Sequence, residues 1–178
     1  MNRYSYFKNK NVLVTGHTGF IGYWLCRVLL QAGAKVAGYS IEGTDNRFSS
    51  EMMNIEGDVR DKICLSKSIN DFTPEIVIHL AAQSRKEDAF KNPLYTYETN
   101  INGTIILLDI VRKSTITKSI VIASSIDIYA DNNWEWGFRE IDKTQGVDPL
   151  SDSKVCCETI VNTLKNHISI IIIVQQYL

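Results

Sequence analysis

The stretch Asn11-Val12-Leu13-Val14-Thr15-Gly16-His17-Thr18-Gly19-Phe20-Ile21-Gly22 decides the fold. Residues 11–15 form a short β-branched run and read as a buried strand. Residues 20–32 follow with helical length, and Gly33 stands where a helix C-cap would. Between them, Gly16 lets the chain turn sharply and Gly19 leaves out a side chain that would block a phosphate. Gly22 permits close helix–strand packing. The first turn of such a helix has free N–H groups and a partial positive charge, which suit an anion. A glycine pattern alone is weak evidence; here a strand precedes it and a helix follows.

Outward from this turn the chain keeps alternating. Residues 35–40 read as a second strand and 54–56 as a weaker third. Residues 61–72 have helical spacing, and Pro74 stops any helix there. A strand is predicted over 75–80, a long helix over 96–113 and a strand over 118–123. Asp148-Pro149 looks like an N-cap followed by proline at the first helical position, opening a helix to about residue 166. A last strand is predicted over 168–174. Strands alternating with helices imply a parallel sheet covered on both faces, and right-handed crossovers make it doubly wound, a Rossmann fold. The expected layout is one dinucleotide-binding domain over 1–178, ending early after the sixth strand. Residues 131–147 form the one long irregular stretch, of the kind that tends to be functional or mobile.

Composition excludes several classes. The 178 residues carry 19 basic and 20 acidic side chains, a net charge of −1, so no basic surplus points to nucleic acid. The polar, aromatic N-terminus is no signal peptide. The longest apolar run, 168–174, is far short of the ~20 residues a membrane helix needs. Cys26, Cys64, Cys156 and Cys157 lack CxxC spacing, so buried free thiols in a reducing cytoplasm are expected, and no metal site.

The spacing G-x-x-G-x-x-G at residues 16–22 resembles the extended branch of the short-chain dehydrogenase/reductase superfamily. The resemblance implies further cofactor positions. Thr18, Phe20 and Ile21 belong to the glycine motif with Gly16, Gly19 and Gly22. Gly57-Asp58-Val59 matches the turn after the third strand, whose aspartate contacts adenine; read alone, Asp58 is equally a helix N-cap. His79-Leu80-Ala81-Ala82-Gln83 matches the turn after the fourth strand, which lies along the cofactor. Asn100-Ile101-Asn102-Gly103-Thr104 matches the central helix motif. NAD is the expected cofactor, with Glu42, two residues past Ser40, gripping the ribose hydroxyls. Glu42 reads as readily as a solvated loop acid, and with Arg47 nearby the residues leave NADP open.

Two other segments carry a closer resemblance. Asn132-Asn133-Trp134-Glu135-Trp136-Gly137-Phe138-Arg139-Glu140, and Gly146-Val147-Asp148-Pro149 leading into Ser151-Asp152-Ser153-Lys154, resemble the CDP-glucose 4,6-dehydratases. Trp134, Trp136 and Phe138 also read as a hydrophobic clamp for their loop. In that family NAD oxidises carbon 4 of the glucose, water leaves across carbons 5 and 6, and the hydride returns to carbon 6. A tyrosine takes the hydroxyl proton, helped by a lysine four residues on, and both lie on one helix face. A Ser or Thr hydroxyl holds the substrate, and an acid protonates the departing hydroxyl.

The resemblance makes Ser125 the catalytic hydroxyl and Lys154 the lysine, which also faces the cofactor. It breaks at two positions. Leu150 stands four residues before Lys154, where the family has tyrosine. Ile126 stands where the family has its elimination acid. Asp127 is one residue on, and such a shift at a strand end aims a side chain elsewhere. Tyr129 matches a different position and reads as packing. The resemblance also implies a C-terminal lobe holding the nucleotide-sugar, which the chain as read does not supply. Three readings follow: an NAD-binding dehydratase relative with impaired catalysis, an enzyme completed by a second chain, or a non-catalytic module pairing with an intact paralogue. Superfamily members pair through long helices, here 96–113 and 149–166, so a homodimer is a further expectation.

Overall fold

The computed structural model describes residues 5–41, 51–130 and 135–165, and residues 169–173 by their backbone alone. Six parallel strands make one sheet: β1 (Asn11–Thr15), β2 (Lys35–Ser40), β3 (Met53–Glu56), β4 (Ile76–His79), β5 (Ser119–Ala123) and β6 (Ser169–Ile173). Their order is β3-β2-β1-β4-β5-β6, that of a doubly wound dinucleotide-binding sheet, as the alternation predicts. β1 is central. It pairs Leu13 with Ala37 on one side and with Val77 on the other. The order reverses between β1 and β4, and beyond their C-terminal ends such sheets open a crevice.

Successive side chains on β1 go to opposite faces. Val12 and Val14 join Val36, Ile76 and Ile78 beneath Cys26 and Leu29 of helix α1 (Phe20–Gln31). Leu13 joins Ala37, Tyr39, Val77 and Ile120 on the other face. That face is covered by Leu65 and Ile69 of α2 (Lys62–Phe72), by Leu107, Leu108 and Val111 of α5 (Gly103–Val111), and by Val161 of α6 (Pro149–Leu164). The helix ends obey local chemistry. Ala32 caps α1 and Gly33 follows at φ +81°. Asp61, not Asp58, caps α2, accepting from the amides of Ile63 and Cys64 at 3.0 Å each. Asp148 caps α6 in a capping box with Ser151, and Pro149 is at N1.

The long helix expected over 96–113 is the main correction. Helical structure begins earlier, with α3 (Lys86–Lys91) and α4 (Pro93–Tyr97), the latter capped by Asn92 with Pro93 at N1. A π-helical turn, Glu98–Asn102, then joins α4 to α5. The wider turn buries the successive residues Thr99 and Asn100 together, and Gly103 and Thr104 one turn on. Gly103 lets Val59 pack close, because a Cβ would stand 2.7 Å from the Val59 side chain and displace it. Residues 135–147 contain no helix or strand beyond an isolated bridge between Tyr129 and Thr144. Tyr129 packs as expected, stacked on Phe138 with ring centroids 5.0 Å apart. Trp136 is 77% exposed, and Trp134, the other tryptophan of the expected clamp, lies outside the described residues. Of the cysteines, Cys26 and Cys157 are buried while Cys156 is exposed, so the expectation of four buried thiols holds only in part.

Among the described residues no helix is long and apolar enough to cross a membrane.

Candidate functional site

The C-terminal ends of the strands form a groove in two joined parts. A cavity of about 900 Å³ runs from Gly16, Thr18 and Gly19 across Ser40 to Asp58 and Val59 on one side, and past Leu80, Ala81 and Ala82 to Thr99 on the other. A second, about 440 Å³, shares Gly16 and Gly19. It continues along Phe20, Ile21 and Gly22 to Ser124, Ser125, Leu150 and Lys154.

Each glycine of the turn has its own geometric reason. Gly16 sits at φ +75°, and a Cβ there would lie 2.7 Å from the Ala81 amide nitrogen. A Cβ on Gly22 would overlap the Gly16 carbonyl oxygen, so Gly22 seats α1 against the turn itself rather than against the strand. At Gly19 a Cβ would meet only the Gly16 carbonyl at 3.4 Å and otherwise open space. That open side is the approach a pyrophosphate needs, at the N-terminus of α1.

On the β3 side, Asp58 is held by its neighbour. Arg60 donates from its amide to Oδ1 at 2.8 Å and from Nη2 to Oδ2 at 2.6 Å. This pairing keeps the Asp58 carboxyl below the usual aspartate range despite its burial. The Arg60 guanidinium in turn lies 4.7 Å over the Tyr95 ring. Glu42 and Arg47 lie outside the described residues.

On the β5 side, Lys154 donates to the Ala123 carbonyl at 2.9 Å, and burial lowers its pKa. Leu150 is only 4% exposed and lines the same cavity. The helix therefore presents positions 150 and 154 to the cleft together, as the i, i+4 spacing predicts. Ser125 also lines the cleft, and its hydroxyl accepts from the Asp127 amide at 3.2 Å. The Asp127 carboxylate does not face the cleft. It pairs with Lys86 at 3.1 Å, as expected of a shift by one residue. Ser124 lines the cleft too, and its hydroxyl is buried with no hydrogen-bond partner among the described residues.

Asn100 differs from expectation. It is 2% exposed and sits behind the groove, with its amide spent on protein. Nδ2 donates to the Gln83 carbonyl at 3.1 Å and to Ser153 Oγ at 2.8 Å, and Oδ1 accepts from the Gln83 amide at 2.8 Å. Its work is to tie the turn after β4 to α6.

Sequence reasoning missed His79 as a site residue. Its ring is buried between two threonines, Nδ1 at 2.7 Å from Thr15 Oγ1 and Nε2 at 3.1 Å from Thr104 Oγ1. The neighbours set the tautomer. Thr15 accepts from the Ala81 amide and keeps its own proton for Nδ1. Thr104 donates to the Asn100 carbonyl, so it accepts from Nε2–H. One directional chain thus runs from the groove floor at Ala81 to the π turn. All four residues of β4 are buried, so a polar ring at its end has to find partners inside the protein. Burial, with Lys154 nearby, lowers its pKa from 6.5 to about 3. Between those values the unfolded chain binds a proton that the native one refuses, so stability falls as pH falls. Unfolding free energy should drop by about 2 kcal/mol from pH 7 to pH 5 on this account. Denaturant titration at the two pH values checks it, and in His79→Gln this part of the slope should vanish.

The comparisons with known proteins agree with this geometry. The GDP-mannose 4,6 dehydratase family model matches residues 13–177, nearly the whole chain. The chain belongs to the GDP-mannose 4,6 dehydratase family. A relative with related chemistry in its name is the CDP-glucose 4,6-dehydratase of Salmonella typhimurium, 37% identical over 169 residues, which cover 91% of this chain and 47% of that protein. In structure the chain resembles the UDP-glucose 4-epimerase of Thermus thermophilus, solved in complex with NAD, with a TM-score of 0.85 and 26% identity over 94% of this chain and 54% of that one. The Bifidobacterium longum UDP-glucose 4-epimerase, solved with NAD+ and UDP, gives 0.82 and 26% over 94% and 52%. The chain thus spans about half the length of the relatives it matches. In this dehydratase family setting, Leu150 and Ile126 stand out because they line or adjoin the cleft yet carry no exchangeable proton.

Proposed function

We propose that this chain binds NAD in the groove, that its nucleotide-sugar partner is CDP-glucose, and that it does not catalyse the dehydration by itself. Leu150 carries this reading. It fills the cleft wall one helical turn before Lys154, where proton transfer would need a tyrosine. The groove suits a dinucleotide: an open face at Gly19 for the pyrophosphate, and one arm on each side of the strand-order reversal. The relatives solved with NAD support the choice of cofactor.

NAD, when bound, supplies a hydride acceptor and donor. The remaining work falls to side chains. Lys154 anchors its ammonium on the Ala123 carbonyl at the cleft wall, and Ser125 offers a hydroxyl beside it. Neither is an acceptor for a sugar hydroxyl proton while Lys154 is charged, and Leu150 offers none. Ile126 offers no acid for a departing hydroxyl. Substrate proximity without proton transfer is the outcome. Four thiols without disulfides fit a cytoplasmic protein, which belongs to the same proposal.

Calorimetric titration tests the cofactor part. Saturable binding of NAD, one per chain, is expected, and heat-free titration up to millimolar NAD would overturn it. A homodimer through α5 and α6 is a lesser part of the proposal. Sedimentation would decide it, and a monomer at all concentrations would remove it.

A further inference from the structure

The groove walls are made chiefly of backbone, apolar side chains and groups that already have partners. Ser124 is an exception. It is 5% exposed, it follows β5 directly, and its hydroxyl finds no hydrogen-bond partner among the described residues. A buried hydroxyl in that condition costs the protein free energy. Its neighbours along the chain are all engaged: the Ala123 carbonyl accepts from Lys154, and the Ser125 hydroxyl accepts from the Asp127 amide. No protein group has been supplied to Ser124 among the described residues, yet it lines the cleft.

The topology says what reaches it. The glycine turn after β1 is the place in the groove built for a pyrophosphate. A dinucleotide centred there must lay one half towards β2 and β3 and the other towards β4 and β5. Asp58 and Val59 line the first arm, and Ser124 lines the second. A serine hydroxyl both donates and accepts, so one on a residue lining this arm can bond a polar group of a ligand laid there.

We propose that Ser124 is a ligand-binding residue whose hydroxyl bonds the non-adenine half of the bound dinucleotide, a role separate from that of Ser125. The inference rests on the reading of the groove as an NAD site, and its test separates the two.

The variant is Ser124→Ala, which removes one oxygen and leaves the volume almost unchanged. Two measurements are made on the full chain. The first is thermal unfolding without ligand. The variant should be at least as stable as the parent, because the hydroxyl it loses had no partner. The second is titration with NAD and, separately, with ADP, which carries the adenine arm and the phosphates only. NAD affinity should fall by about 3- to 10-fold, as for one lost hydrogen bond, while ADP affinity stays the same. Unchanged NAD affinity in the variant overturns the proposal, as does an equal loss for ADP. A drop in melting temperature without ligand also overturns it, since the hydroxyl would then be a structural bond. If the parent itself binds ADP but not NAD, the NAD reading fails and this proposal falls with it.

Discussion

Given NAD and CDP-glucose, the purified chain should form the 4-keto-6-deoxy product at least about 10²- to 10⁴-fold more slowly than a tyrosine-bearing relative. That range is what a positioned proton-transfer group contributes to a rate. The structure makes the loss specific. Leu150 is not turned away from the cleft; it occupies the wall beside Lys154, and no tyrosine is among the described residues that line that part of the cleft. Tyr129 is the nearest tyrosine in sequence, but its ring is stacked on Phe138, and burial together with nearby carboxylates pushes its pKa up, the wrong direction for a proton acceptor. Asp127 is turned to Lys86. Chromatography of the reaction mixture gives the answer directly. Product formed by the unmodified chain at a rate close to that of such a relative would refute the reading. Leu150→Tyr is the reciprocal test, read as reduction of bound cofactor on adding the sugar nucleotide, which should appear in the variant and not in the parent.

The second large effect lies at the glycines, where the three positions should separate. Gly16→Ala combines a left-handed backbone with a methyl 2.7 Å from the Ala81 amide, and should cost roughly 2–5 kcal/mol of stability. Gly22→Ala drives its methyl into the Gly16 carbonyl and should destabilise by about 1–3 kcal/mol or more, by lifting α1 off the turn. Gly19→Ala is different. Its φ of −69° suits alanine and its only close neighbour is at 3.4 Å. It should therefore unfold like the parent, yet lose NAD binding by more than about 10-fold, because the methyl occupies the phosphate approach. Melting curves and titrations on the three variants check this. Equal destabilisation of all three would show that the turn is merely structural.

The fold was legible because its signals are local. The short apolar runs of β1, β2, β4 and β5 need only their own residues to be read, and Asp148-Pro149 marks the start of α6 by the same local chemistry. Asn92-Pro93 is the same kind of signal, and the structure shows that it opens α4. Reading it would have moved the start of the central helix back to Pro93. The π turn was not legible. It exists because Asn100 reaches Gln83, 17 positions away, and Ser153, 53 positions away. The same holds for His79, whose partners come from β1 and α5. Asp58 illustrates the middle case. Sequence offered it as a cap or as a binding group, and only the geometry assigns the cap to Asp61 and leaves Asp58 to Arg60 and the groove. The departures at Leu150 and Ile126 were visible in sequence through the family resemblance. What sequence could not supply is how deeply Leu150 sits in that wall, at 4% exposed.

The central place of β1 also has a consequence in time. β1 leaves the ribosome first, but its two neighbours arrive late and unequally: β2 begins at Lys35, and β4 not until Ile76. At ~5–20 residues per second, β1 spends several seconds with one ladder edge open during synthesis. Throughout that interval the nascent chain displays Val12, Leu13 and Val14 beside unpaired amides, a template to which another growing chain could add. The strand that anchors the finished sheet is thus the one most exposed to misassembly while the protein is being made.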